Sequence, residues 1–343
     1  MDLPRAGGRR DRGEVGDDEL SDPELQLLAA IAADGDDVHA RRVLADLWLE
    51  GDDPVRGEAL ALSCEGRDAS ALYAAHGERW LAPARDAGFT RARFERGFVD
   101  IPLVTDRPTR ALLRLCPRLY RVLGLPDAGG MVVVDHMLDA ALVTDPARRV
   151  AVEIPLPYVV ATGMPEPARF DHPNVARFVE AVELPAHVSA QVCIAWRWTG
   201  EPLVLGRRYG VEETATIARQ VAAALAHVHA RGAIHGEIRP DHVRVDRGVV
   251  TVHGFSKVLG RHAVARGYLR PRERAFCAPE QLDGGVVTSA VDLFALGAIV
   301  LAMLGDGARG SITALANRCV VRKPAERPTA EAVLRAIEQA CGS

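Results

Sequence analysis

The segment that begins at residue 233, AIHGEIRPDHVRVDRGVVTVHGF, concentrates side chains able to do chemistry. Glu237 is a carboxylate that can accept a proton from a hydroxyl. Arg239 is a guanidinium suited to phosphoryl or carboxylate oxygens. His235, His242 and His253 are imidazoles, which ligate metals, shuttle protons or pack as neutral rings. A further carboxylate, Glu153, ends the apolar run of RRVAVEIP. Proton transfer, anion binding and metal binding are therefore all open to this set.

The apolar residues between these groups say what must position them. Ile234, Ile238, Val243, Val245, Val250 and Val252 set a regular beat that seats a loop against a core. Upstream, from Gly129 to about Trp198, the pattern is strand-like: MVVVDHML, RRVAVEIP and AQVCIAWRW are rich in Val and Ile. From Gly210 helices dominate. VEETATIARQVAAALAHVHARG places Ile217, Val221, Leu225 and Val228 on one face and stops at Gly232. A sheet-rich half followed by a helix-rich half predicts an α+β domain of two lobes.

The N-terminal part has a different texture. Residues 1–20 are charged and Gly-rich and are expected to be disordered. In SDPELQLLAAIAADGDDVHARRVLADLWLEGDD, Ser21 and Glu24 form a capping-box pattern. Leu25, Leu28, Ala29, Ile31 and Ala32 follow at helical spacing, and a second helix carries Val43, Leu44, Leu47 and Trp48 before Gly51. The expectation is a helical hairpin with a shared apolar face.

Composition excludes several classes. The chain of 343 residues has 48% hydrophobic and 26% charged residues and a net charge of −4, which gives no reason to expect nucleic acid or a membrane surface as partner. The six cysteines are scattered without a C-x-x-C pair, so neither a zinc framework nor a disulfide scaffold is indicated. No apolar core follows the basic residues of MDLPRAGGRRDRGEVGDDEL, and the apolar run Leu293–Leu304 suits a buried helix better than a bilayer span. A cytoplasmic location is expected.

Two resemblances follow from longer segments. ELQLLAAIAADGDDVHARRVLADLWLEGDDPVRGEAL, then HGERWLAP and FERGFVD, resemble a small bacterial repeat-companion domain over residues 21–103. ADLWLEGDD departs from that family's Ala-Asp-Trp-Leu-Glu, and the resemblance implies a helical packing module without chemistry. From about residue 126 to the C-terminus the chain resembles the protein-kinase fold in its bacterial Ser/Thr branch. FCAPEQLDGG resembles the end of the activation segment, with Ala278, Pro279 and Glu280 intact. SAVDLFALGAIVLAML resembles the central helix of the C-lobe and carries Asp292; CVVRKPAERPTAEAVLRAI supplies Arg327, the arginine that the family pairs with this glutamate. HPNVARFVEAVEL resembles the strand after the N-lobe helix. The implied layout is a linker at 104–125, an N-lobe at about 126–198 and a C-lobe at about 199–343.

The same resemblance marks the chemical positions as changed. Phosphoryl transfer in this family uses a lysine on the nucleotide phosphates, an aspartate on the hydroxyl, and Asn and Asp side chains on magnesium. Here the lysine position reads Glu153, and at an effective dielectric near 20 a contact charge pair of the wrong sign costs roughly 4 kcal/mol. His-Arg-Asp reads His235, Gly236, Glu237, one methylene longer at the base position. Arg239 stands where a lysine steadies the transferred phosphate; the magnesium asparagine reads His242 and Asp-Phe-Gly reads His253, Gly254, Phe255. His235 is expected to pack under the metal loop. The Gly-rich loop is reduced to Gly129 and Gly130, a pair more often found in a plain turn. IPLPYVVATGMPEPARFD is short for the regulatory helix and carries four prolines; GDGARGSITALANRC is short for the substrate-docking helix.

The resulting expectation is a pseudokinase: a kinase-like scaffold or allosteric partner that binds another protein, an active kinase or other signalling protein, with no cofactor. ATP and magnesium binding are not expected. One alternative is a transferase using Glu237 as base and Arg239 on phosphate. Another is a metal-binding module, since His242 and His253 stand at positions that converge on magnesium in the family and would suit zinc with Glu237. Packed or solvated histidines are the plainer account of both. His227 and His229 are read as surface or packing residues, RRYG at Arg207 and RPRERAF at Arg270 as basic loops. Trp196 and Trp198 are read either as core packing or as a filling of the adenine pocket.

Overall fold

A computed structural model of the chain describes residues 22–99, 101–123, 137–153, 170–185, 192–255 and 274–341. Gly129, Gly130, Arg270 and most of the proline-rich segment after Glu153 lie outside these residues. The fold contains both helices and strands and separates into two compact units, with the chain passing from one unit to the other within the strand Met137–Leu142 and within β6 (Asp145–Glu153), β7 (Phe178–Glu183) and β8 (Val192–Arg197).

The first unit begins with four helices, α1 (Pro23–Ala33), α2 (Val38–Glu50), α3 (Pro54–Cys64) and α4 (Ser70–Asp86). Short strands β1 (Phe94–Glu95), β2 (Phe98–Val99) and β3 (Leu103–Thr105), helix α5 (Arg110–Leu115) and strands β4 (Leu119–Leu123) and β5 (Met137–Leu142) follow. The N-cap of α1 is Asp22, one residue beyond the expected Ser21. Its carboxylate accepts the Glu24 N–H at 2.9 Å, and Pro23 at the first helical position has no N–H to satisfy.

Leu25, Leu28, Ile31 and Ala32 of α1 are buried, as the spacing predicts. In α2 the buried face is Ala40, Leu44, Ala45 and Trp48, whereas Val43 and Leu47 point outward. Ala40, Leu44 and Trp48 recur every four residues and fix the stripe; Val43 and Leu47 sit one step of about 100° away from it. The stretch 104–125, expected as a linker, holds α5 and β4, and its Leu112, Leu113 and Leu115 are buried with Trp48 and Leu60 in one core. β3 runs parallel to β4, and β4 antiparallel to β5.

The second unit contains β9 (Glu201–Pro202), α6 (Val211–His229), the hairpin β10 (Val243–Asp246) and β11 (Val249–Val252), then α7 (Pro279–Leu282), α8 (Ala290–Leu304), α9 (Ser311–Cys319) and α10 (Ala330–Cys341). Helix α6 buries Ile217, Val221, Leu225 and Val228 against α8 and α10. Helix α8 carries the apolar run of the sequence, and most of its length is core. No described helix is long and apolar enough to cross a membrane. The hairpin closes through Arg247 and Gly248, both at positive φ, which gives the tight two-residue turn that a right-twisted pair accepts. With β9 it forms a three-stranded sheet in the order β11-β10-β9. The chemically rich segment is thus the entry to β10 and the exit from β11.

Candidate functional site

Asp292, at the start of α8, organises the loop before β10. Its side chain is fully buried. One carboxylate oxygen accepts the Gly236 N–H at 2.7 Å; the other accepts the His235 N–H at 2.9 Å and lies 2.7 Å from His229 Nε2. The loop is held from the other side by Gln281, whose amide donates to the Gly236 carbonyl at 2.6 Å. His229, read from the sequence as a surface or packing residue, is instead the third group on Asp292. His229 and Asp292 lie 63 positions apart in the chain, and no local pattern in the sequence announces their meeting.

His235 uses both ring nitrogens. Nε2–H donates to the His253 carbonyl at 2.6 Å, and Nδ1 accepts the Glu237 N–H at 3.2 Å. The ring also meets Phe255 edge-on at 4.7 Å. It packs under the 253–255 turn and ties the two loops together. Gly254 sits at φ +87°, and a Cβ there would lie 3.0 Å from His242 Nδ1, so the turn requires glycine for both conformation and space.

Arg239 is almost fully buried and surrounded by acceptors. Glu237 lies at 3.0 Å, the two oxygens of Asp241 at 3.2 Å, and His242 Nε2 at 3.0 Å. The guanidinium can only donate, so His242 accepts through Nε2 and donates through Nδ1 to the Glu237 carbonyl at 2.7 Å. This fixes a neutral imidazole. The residues 240–242 form a single 3-10 turn, in which side chains three apart eclipse; that spacing is the one signal by which the sequence foreshadows the Arg239–His242 contact.

His253 is fully buried on the other side of the turn, with Nε2 at 2.7 Å from Thr199 Oγ1. Burial, and then the positive charge of Arg244, push its pKa well below the usual imidazole value, so the ring is neutral at neutral pH. Glu153, at the end of β6, is also buried. Its carboxylate accepts the indole N–H of Trp196 at 2.8 Å, and Trp196 belongs to the core.

Residues 167–309 match the family model of the protein kinase domain. The match covers 143 of the 343 residues and takes in Glu237, Arg239, His242, His253, Glu280 and Asp292; Glu153 and Arg327 lie outside it. Curated kinases align over similar stretches. A probable myosin light chain kinase of Dictyostelium discoideum is 27% identical over 143 residues, 39% of this chain and 44% of its own. The serine/threonine-protein kinase PknK of Mycobacterium tuberculosis is 33% identical over 104 residues, 29% of this chain and 9% of its own. The serine/threonine-protein kinase PrkC of Bacillus subtilis is 27% identical over 96 residues, 27% of this chain and 15% of its own. The chain therefore spans less than half the length of these relatives.

Glu280, inside the matched residues, is engaged by Arg327, which lies beyond them. Arg327 forms a two-pronged pair with Glu280 at 2.6 and 2.9 Å and also donates to the carbonyls of Val321, Ala290 and Arg322. Phe294 stacks under the guanidinium at 5.1 Å.

The chemical positions do not fit magnesium. That ion takes oxygen ligands, and here His242 has spent its lone pair on Arg239, while His253 is a buried neutral ring beside a hydroxyl. Among the described residues, no group of three or more His, Cys, Asp or Glu side chains is placed to hold a metal. Arg207, one of the two basic loops of the sequence, pairs with Glu213 at 2.7 Å on the surface.

Proposed function

We propose that the kinase-like region is a binding module that does not transfer phosphate, acting as a scaffold or allosteric partner of another signalling protein. The observation that carries this reading is the closed network around Arg239. The guanidinium that would hold a phosphate is spent on Glu237, Asp241 and His242. The carboxylate that would take a hydroxyl proton is the same Glu237, held in an ion pair. Glu153 places a buried carboxyl at the position where the family resemblance expects a lysine, and the Trp196 indole holds it there. The bonds made by Asp292 and the Glu280–Arg327 pair support the reading of a folded scaffold.

The test combines a thermal-shift titration with ATP, with and without magnesium or manganese, and a radiolabelled transfer assay. The expected result is no stabilisation and no incorporation, because a ligand bound to the native state must raise its stability. Phosphate incorporation that disappears in Glu237→Ala would overturn the proposal.

A further inference from the structure

The N-terminal unit holds an open cleft of about 570 Å³. Four guanidinium groups line it, Arg56, Arg79, Arg110 and Arg114, against two carboxylates, Asp52 and Asp53. The account of charges is uneven. Arg110 pairs with Asp22 and Glu24 at 2.7 Å, and Arg114 pairs with Glu24 and with Asp52. These two arginines are matched. Among the described residues neither Arg56 nor Arg79 is in a salt bridge, and Asp53 and Glu24 act on Arg56 at longer range.

Arg56 is the unusual member. It is 6% exposed, in the first turn of α3. Its protein contacts are neutral: it donates to the Arg114 carbonyl at 2.5 Å and lies over the rings of Trp48 at 4.7 Å and Phe94 at 5.5 Å. Its Nε has no hydrogen-bond partner among the described residues. A buried charge with no carboxylate in direct contact is costly, and a guanidinium is built to grip two oxygens at once. Burial pushes this group down to about 10, with Asp53 pulling the other way. The amide groups at the start of α3 add a favourable field for an anion.

We propose that this cleft is an oxyanion site in which Arg56 and Arg79 hold the phosphoryl or carboxylate group of a small ligand, with Trp80 as its apolar wall. Asp53 acts as the internal competitor that keeps the empty cleft tolerable. The site is independent of the kinase-like region and of the function proposed for it.

The experiment is calorimetric titration of the full chain at constant ionic strength in sodium chloride, with inorganic phosphate in one arm and succinate in the other. Trp80 fluorescence serves as a second readout. Saturable binding in either arm is expected, and the arm that binds identifies a phosphoryl or a carboxylate ligand. Arg79 is exposed, so Arg79→Ala should fold normally and weaken binding about tenfold, the equivalent of one lost charged contact. Asp53→Asn should tighten binding several-fold, the opposite sign to a folding defect. Absence of saturable binding in both arms, or equal affinity in wild type and Arg79→Ala, would overturn the proposal.

Discussion

The Trp196 indole donates to the buried Glu153 carboxyl at 2.8 Å, so this polar group at the end of β6 is a constituent of the core. Removing the donor with Trp196→Phe leaves a buried acceptor without it. The expected loss is about 2 kcal/mol in chemical denaturation, within the range for removing one partner of a buried hydrogen bond. Glu153→Gln keeps an oxygen acceptor and should cost less. Glu153→Lys, the substitution that would restore the family's lysine, buries an ammonium facing an N–H donor. It should destabilise more than Glu153→Gln without producing phosphate transfer.

The Glu280–Arg327 pair is buried on the arginine side and bonded through both oxygens. Breaking one side strands a buried charge, so Arg327→Ala should cost about 3–5 kcal/mol. A double-mutant cycle with Glu280→Ala measures the coupling. Additive losses would mean the pair contributes nothing beyond packing.

His253 makes stability depend on pH with a definite sign. Its folded pKa is depressed, chiefly by burial, while the unfolded chain titrates near the ordinary imidazole value of about 6.5. The unfolded state therefore binds the extra proton first. Stability is full above about pH 6.5 and falls as pH drops below it, by about 1.4 kcal/mol per unit for one proton. His172 and His227 are also depressed, by burial first, and act in the same direction. The His253→Asn variant should show a shallower acid limb than wild type in urea melts between pH 7 and 5. Superimposable limbs would count against the assignment.

Asp292 holds two consecutive backbone N–H groups of the loop before β10. Asp292→Asn presents only one acceptor oxygen and places an NH2 group against a donor. Hydrogen-exchange protection of the His235 and Gly236 amides should fall by at least about tenfold, the equivalent of 1.4 kcal/mol in local opening. The α10 amides should be much less affected. Uniform loss across the unit would indicate global unfolding in place of loop release.

Much of the scaffold was legible in residue order, because helix and strand periodicity are local. Leu25, Leu28 and Ile31 predicted one face of α1, and Ile217, Val221, Leu225 and Val228 predicted the buried face of α6. Where two stripes competed, as for Val43 and Leu47 in α2, local spacing could not choose; packing of Leu44 and Trp48 into the core did. The expected linker hid α5 because a six-residue helix offers too little periodicity to stand out.

The sequence by itself determined which chemical groups stand at each position of the 233–255 segment, since identity is written residue by residue. It placed Glu237, Arg239, His242 and His253 where a family resemblance assigned chemistry. Only the tertiary structure decided what those groups do with their charges and lone pairs. Arg239 turns inward onto Glu237, Asp241 and His242, His229 reaches Asp292, and Trp196 finds Glu153. Two of these contacts join residues tens of positions apart, and burial makes all of them decisive. Inside a core a donor must meet an acceptor, and which one it meets depends on the packing of whole elements.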